Sequence, residues 1–335
     1  MIKPKAVKPG DVVGVIAPSD AVEKEDVEKG RAVLESWGLK VKIGKHVYAK
    51  VGDFSAGTAA ERMEDILTMI NDPDVRVIWA AGGGYAATEI LPVFNREVLV
   101  KLTEQPLLWV GYSDVCLILN ALTSFRMVSV MGPNLAGLTE WDKKSTAEMK
   151  KILFGEACEG MALDARWRTG LAGTAEGRLV ASNLETLILS FGTRFDPLMY
   201  GSGNIILGLE ELDIDKSSLQ RQLDTVLNHK RAGRITGIFV GRLVNIAEKS
   251  YPEWGKIVTS EGLITDRVKK WGDGKIPLAF CSDFGHPEWS YGMFSKWLRY
   301  FANRRFLPVP EGILARLTVE EKSVKLEYLE KVTAE

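Results

Sequence analysis

Leu107-Leu108-Trp109-Val110-Gly111-Tyr112-Ser113-Asp114 is the stretch from which the fold is read. Its apolar run, Leu107 to Val110, has the length and continuity of a buried parallel strand, and from Asp114 to Leu122 apolar side chains recur at helical spacing. Ser113 therefore stands between a strand end and a helix start. A turn that sharp lifts the hydroxyl clear of the sheet and aims the first free N–H groups of the helix at whatever the oxygen attacks, which is nucleophile-elbow geometry. The same residues also suit a plainer task, because Ser and Asp both cap helices well and the G-x-S-x-G spelling is absent.

Upstream of this turn, Val12 to Ala17 reads as a strand. Val27, Val33, Leu34 and Trp37 form one face of a helix closed at Gly38, and Val41 to Ile43 is the next strand, giving a βαβ opening. Thr58 and Glu61 spell a capping box for a helix whose inner face is Met63, Ile66, Leu67 and Ile70. Val75 to Ala81 is a third strand and runs into Gly82-Gly83-Gly84-Tyr85. Glycines at that place permit positive φ and close approach to their N–H groups, so the run is either a cradle for a phosphate or an oxyanion or a plain tight turn. Neither G-x-G-x-x-G nor G-x-x-x-x-G-K-[ST] is matched there. Val128 to Met131 completes a mostly parallel, doubly wound first domain.

Downstream, residues 141–174 are polar and charged and read as a connector between an N-terminal domain of residues 1–140 and a C-terminal domain of residues 175–335. The connector holds a surface helix around Lys143, Lys144, Lys150 and Lys151 and a loop with Arg166, Trp167 and Arg168; Trp167 is either packing or an aromatic platform for a substrate. Regular structure resumes at Gly177 to Val180 and in a helix over 183–191. Ile205 to Leu209 then delivers Glu210 and Glu211 to a strand's carboxyl end, where open α/β sheets place their sites. Ser217 and Gln220 read as a second capping box. Ile235 to Val240 and Ile276 to Cys281 are further strands, 251–274 reads as an insertion or lid, and Leu314 to Leu329 as a closing hairpin.

Among the three histidines, His46 lies in a polar loop and His229 at the last turn of a helix, where the macrodipole favours a cation. His286 follows a buried strand and a glycine, a position from which it can point into a cleft as acid/base or serve a structural role. Composition narrows the rest. The chain has 335 residues, 46% of them apolar and 26% charged, with a formal net charge of −1, so nothing in it recruits nucleic acid or an anionic membrane. No apolar run has the form of a signal peptide or the length of a membrane span, which points to the cytoplasm. Cys116, Cys158 and Cys281 have no paired spacing, against both a disulfide framework and a structural zinc site.

Five short motifs occur in order: Gly82-Gly83-Gly84-Tyr85, Gly111-Tyr112-Ser113-Asp114, Asn183-Leu184 ahead of Phe191-Gly192-Thr193, Leu209-Glu210-Glu211, and Asp283-Phe284-Gly285-His286. Together they resemble the LD-carboxypeptidase family of serine peptidases, which includes the microcin C immunity hydrolases, over nearly the whole chain from Gly10-Asp11 to about Pro287. The resemblance implies an α/β protein with a flavodoxin-like N-terminal domain and a C-terminal swivelling β/α domain, assembled as a homodimer. It implies a Ser-His-Glu triad on Ser113, His286 and Glu210, with an oxyanion met by the N–H groups of Gly84 and Asp114, and neither metal nor cofactor. The activity implied is removal of a terminal D-amino acid from an LD bond in a murein-derived tetrapeptide. The alternatives are hydrolysis of an aminoacyl-nucleotide or related amide conjugate, or a phosphate-binding module without catalysis. Where the family usually has Arg-Gly-Gly-Tyr-Gly this chain has Gly82 to Ala86, and where it has Ser-Asp-x-Thr this chain has Ser113-Asp114-Val115-Cys116. With that arginine absent, Arg178 and Arg194 are the candidates for a substrate carboxylate, beside Gly83 and Tyr85 as further substrate contacts.

Overall fold

The computed structural model describes residues 1–199, 201–247, 258–288 and 304–334. Its first half runs β1 (Val12–Ile16), α1 (Lys24–Ser36), β2 (Lys40–Ile43), α2 (Ala59–Asn71), β3 (Val75–Ala80), α3 (Arg96–Glu104), β4 (Leu108–Gly111), α4 (Cys116–Ser124), β5 (Ser129–Met131) and α5 (Lys143–Leu153). The second half runs β6 (Trp167–Leu171), β7 (Gly173–Asn183), α6 (Leu184–Ser190), β8 (Ile205–Leu212), α7 (Lys216–Leu227), β9 (Ile235–Val244), α8 (Ser260–Trp271) and β10 (Leu278–Cys281), and closes with β11 (Val309–Glu311), β12 (Leu314–Val319) and β13 (Val324–Tyr328).

These elements build a two-domain α/β fold with two sheets. The first has the order β11-β5-β4-β3-β1-β2, with β1 to β5 parallel and β11 antiparallel to β5. Its parallel part is wound as in flavodoxins, and such sheets carry their sites at the strands' carboxyl ends near the reversal of winding, here between β1 and β3. The second sheet has the order β13-β12-β7-β8-β9-β10-β6, parallel from β7 through β10 and flanked by antiparallel strands. Helix α4, apolar nearly all round, is buried along its whole length, as such a helix must be. It packs against β5 of the first sheet and β7 of the second, so the helix that follows Ser113 is clamped between the two halves. Among the described residues no helix is long and apolar enough to cross a membrane.

The structure departs from the sequence reading in four places. Residues 167–171, inside the stretch taken as a connector, form β6 against β10; half-exposed and flanked by arginines, it has the charge that edge strands carry and so reads as loop. Strand β11 leaves the C-terminal part to cover the open edge of β5, and the chain returns through Gly312 and Ile313, which exchange backbone hydrogen bonds with Leu179 of β7. The cap of α7 is Asp215, whose carboxylate accepts from Ser218 N–H at 2.8 Å, two residues ahead of the expected Ser217. Of the stretch read as a lid, 260–271 is helix α8, its Ile264 and Val268 buried, while 251–257 lie outside the described residues. The Thr58–Glu61 capping box is present.

Candidate active site

Strand β4 is buried throughout and ends at Gly111, where a Cβ would stand 2.6 Å from Val115. The chain then turns so tightly that Ser113 adopts φ 67°, a left-handed conformation costly for any residue with a side chain and characteristic of strained functional turns. Tyr112 N–H is held by Asn134 Oδ1 at 3.1 Å, and one 3-10 turn leads from Ser113 into α4. The Ser113 side chain thereby projects from the carboxyl edge of the first sheet.

The histidine reaches it from the second sheet. His286 Nε2 lies 2.9 Å from Ser113 Oγ, and its Nδ1 lies 2.7 Å from Glu210 Oε2. A carboxylate only accepts, so Nδ1–H donates to Glu210 and Nε2 is left to accept from the serine hydroxyl. Glu210 is fully buried and His286 nearly so. Their approach requires Gly285, which has φ 90° and whose absent Cβ would stand 2.5 Å from Glu210 Cβ and 2.8 Å from Oε2. The turn itself is fixed from outside: Arg242 donates to Gly285 O at 2.9 Å, and Asp283 accepts from the backbone and guanidinium of Arg166. Arg166 was noted in sequence only as a loop residue and Arg242 not at all, because a side chain that braces a loop has no spacing to betray it.

Glu211 faces the other side of β8, as alternation along a strand demands. Its carboxylate accepts from Asn183 Nδ2 at 3.0 Å and from the N–H groups of Leu212 and Glu185, each at 2.9 Å, and so anchors the start of α6. Burial pushes it up to about 7, with the charge of Glu210 adding to the rise and the three donors opposing it.

The glycine turn lies against the nucleophile. A Cβ on Gly83 would stand 2.8 Å from Ser113 Cβ, and one on Gly84 would overlap Asp20 at 1.9 Å. Beyond Gly84, the N–H groups of Tyr85, Ala86 and Ala87 donate to Asp20 Oδ1, Ser19 Oγ and Asp114 Oδ2 in turn. Burial raises both Asp114 and Asp20 above the usual carboxylate range, against the pull of these bonds.

Ser113 opens onto a cavity of 390 Å³ whose walls include Gly84, Tyr85, Asn183, Leu189, Glu185 and Asp213. No lysine or arginine lines it among the described residues. The two expected cations, Arg178 and Arg194, lie elsewhere. Arg178 stands five residues before Asn183 along β7, roughly 17 Å back at the rise of a strand, and is paired with Glu330 at 2.8 Å. Arg194 is exposed and lies over the Phe195 ring at 4.8 Å. Trp167 packs edge-on against Phe239 with its N–H on Leu163 O, and it does not line the cavity. Tyr85 does line it and is 71% exposed, a wide apolar face beside the nucleophile. His46 and His229 are engaged by Asp65 and Asp196, each at 3.1 Å. A larger cleft of 810 Å³ between α2 and the segment from Pro92 to Asn95 holds no nucleophile paired with a base among the described residues.

Comparison with known proteins shows the family and the fold. The sequence pattern of the LD-carboxypeptidase N-terminal domain matches residues 13–132, and that of the LD-carboxypeptidase C-terminal domain matches residues 176–293. A probable murein peptide carboxypeptidase of Bacillus subtilis is 31% identical over 239 residues, 70% of this chain and 72% of its own length. Among solved structures, the microcin C7 self-immunity protein MccF superposes with a TM-score of 0.78 at 17% identity over 100% of both chains. A muramoyltetrapeptide carboxypeptidase from Oxalobacter formigenes gives 0.72 at 20% identity over 95% of this chain and 98% of its own. At such identities the two structures speak for the fold.

Proposed function

The chain belongs to the LD-carboxypeptidase family of serine hydrolases, and from that premise we propose that it cleaves the LD-amide bond before a terminal D-amino acid in murein-derived tetrapeptides. The observation that carries this reading is the continuous hydrogen-bonded chain from Ser113 Oγ through His286 to the buried Glu210. Ser113 Oγ attacks the scissile carbonyl carbon while His286 Nε2 takes its proton. Glu210 holds the imidazole in the right tautomer and stabilises its charged form. The tetrahedral oxyanion is met by the N–H groups of Gly84 and Asp114. The C–N bond then breaks as His286 returns the proton to the leaving amine, and water attacking the Ser113 ester, deprotonated by the same imidazole, completes the cycle. We place the reaction in the cytoplasm and the protein in a homodimer.

Release of free D-alanine from a murein tetrapeptide, lost in S113A of unchanged thermal stability, is the test; a folded wild-type protein that releases none refutes this substrate. A second reading has an observation of its own. Among the described residues the cavity wall carries Glu185 and Asp213, which form no ion pair there, and no cation, a surface better suited to an ammonium than to a carboxylate. That favours a conjugate with a free amino group, such as an aminoacyl-nucleotide. Equal turnover of a free-acid peptide and its C-terminal amide would move the assignment there.

A further inference from the structure

Asp114 has a second attribute besides the N–H assigned to the oxyanion: its carboxylate is nearly buried, the residue being 6% exposed, and is engaged by Ser19 and Ala87. Oδ2 accepts from Ser19 Oγ at 2.5 Å and from Ala87 N–H at 2.8 Å. Ser19 follows β1, Ala87 follows the glycine turn after β3, and Asp114 follows β4. One carboxylate oxygen therefore joins the three loops that surround Ser113. Ser19 Oγ in turn accepts from Ala86 N–H at 3.2 Å.

From behind, the same loops are joined again by Arg62 of α2, a guanidinium 1% exposed. Its Nη1 donates to Ala86 O at 2.9 Å and to Pro18 O at 3.3 Å, and its Nη2 pairs with Glu89. Asp20 closes the arrangement, with Tyr85 N–H on its Oδ1 at 2.9 Å and its own N–H on Gly83 O at 3.1 Å. Every N–H from Tyr85 to Ala87 is thus occupied, and the residue ahead of them, Gly84, borders the cavity with Ser113.

An oxyanion site works only if its donors are fixed before charge develops, since donors that must reorganise lose much of their advantage. The two donors assigned here come from different loops, so their separation is set by whatever ties those loops together. We propose that the Asp114 carboxylate is a positioning residue for the oxyanion site: through Ser19 and Ala87, with Arg62 bracing from behind, it fixes Gly84 N–H relative to Asp114 N–H and Ser113. The carboxylate touches no substrate. The inference rests on Ser113 being the nucleophile, and its test separates the two claims.

The experiment compares wild type, D114A, D114N and S19A by active-site titration with a fluorophosphonate, which counts the competent sites, and by kcat and KM per titrated site on the amide substrate the wild type turns over. The position predicts a kcat loss of about 100-fold in D114A, comparable to removal of an oxyanion donor, with KM changed less than threefold. D114N retains an oxygen able to accept from both Ser19 and Ala87 and recovers at least about tenfold of that loss. S19A, which removes one of the two bonds and leaves Asp114 intact, falls between and covers the case of a D114A that fails to fold. A merely structural role would lower the number of titrated sites and leave kcat per site unchanged; that result overturns the proposal. So does D114N as impaired as D114A, or a loss confined to KM. If the wild type is not labelled at Ser113 at all, the nucleophile assignment fails and this inference with it.

Discussion

Replacing Glu311 with glutamine should stabilise the protein above pH 5, by an amount that grows with pH. Glu311 is fully buried at the seam between the sheets, where β11 passes β7. Its Oε2 accepts from Thr123 Oγ1 at 3.2 Å, and its Oε1 has no hydrogen-bond partner among the described residues. Burial pushes it up to about 8 from an ordinary 4.5, against the weaker pull of the Thr123 and Ala181 donors. In the folded chain the carboxyl thus keeps its proton between pH 4.5 and 8, while in the unfolded chain it releases it. The native state binds more protons over that window, so stability is full below about 4.5 and falls as pH rises towards 8. At about 1.4 kcal/mol per pH unit, the cost is about 3 kcal/mol at pH 7 and about 5 kcal/mol above pH 8. Glutamine keeps the shape and never ionises. Urea unfolding of wild type and E311Q across pH 4.5–8.5 should give curves that meet near 4.5 and diverge by about 3 kcal/mol at pH 7. Parallel curves, or a variant that loses ground as pH rises, would refute the reasoning.

Gly285→Ala should cost about 2–5 kcal/mol, from a left-handed φ and the overlap with Glu210, and should lower kcat more than 100-fold, read from thermal melts alongside turnover. A fully active G285A would mean that Glu210 and His286 need not be in contact. His286→Ala and Glu210→Gln should combine with S113A non-additively, each double variant being about as inactive as S113A alone; multiplicative losses would show that the three do not act as a unit. Asp213→Asn together with Glu185→Gln should raise KM several-fold for an amide substrate carrying a free ammonium near the scissile bond and leave it unchanged for the N-acetylated analogue, as measured by initial rates. An equal change for both substrates would remove these carboxylates from recognition.

Much of the fold was legible because local signals and global winding agree. The apolar run before Ser113, the glycines after β3 and the cap at Thr58 each announce an element in the position it occupies. The three side chains proposed as the triad were approachable because each stands at or just beyond a strand's carboxyl end, which is visible as an apolar run meeting a polar residue. What escaped was of other kinds. Strand β6, charged and at an edge, looks like loop from its composition, and β11 is three residues long and owes its place to an open edge far away in sequence. Arg178 and Arg194 drew attention by charge and by nearness to α6 in sequence, yet β7 holds the first in mid-strand, five residues short of Asn183, and the loop after α6 turns the second outward. Arg62, Ser19 and Asp20 act through contacts with residues 24 to 95 positions away, a kind of information no periodicity holds.

The most direct test of the account is peptide mapping by mass spectrometry after treatment with a fluorophosphonate. A nucleophilic Ser113 activated by His286 gives a single phosphonyl adduct on Ser113, formed at a rate that falls with S113A to zero and with H286A by at least about 100-fold. No adduct on a folded protein that still hydrolyses its substrate, or labelling that survives S113A unchanged, would contradict it.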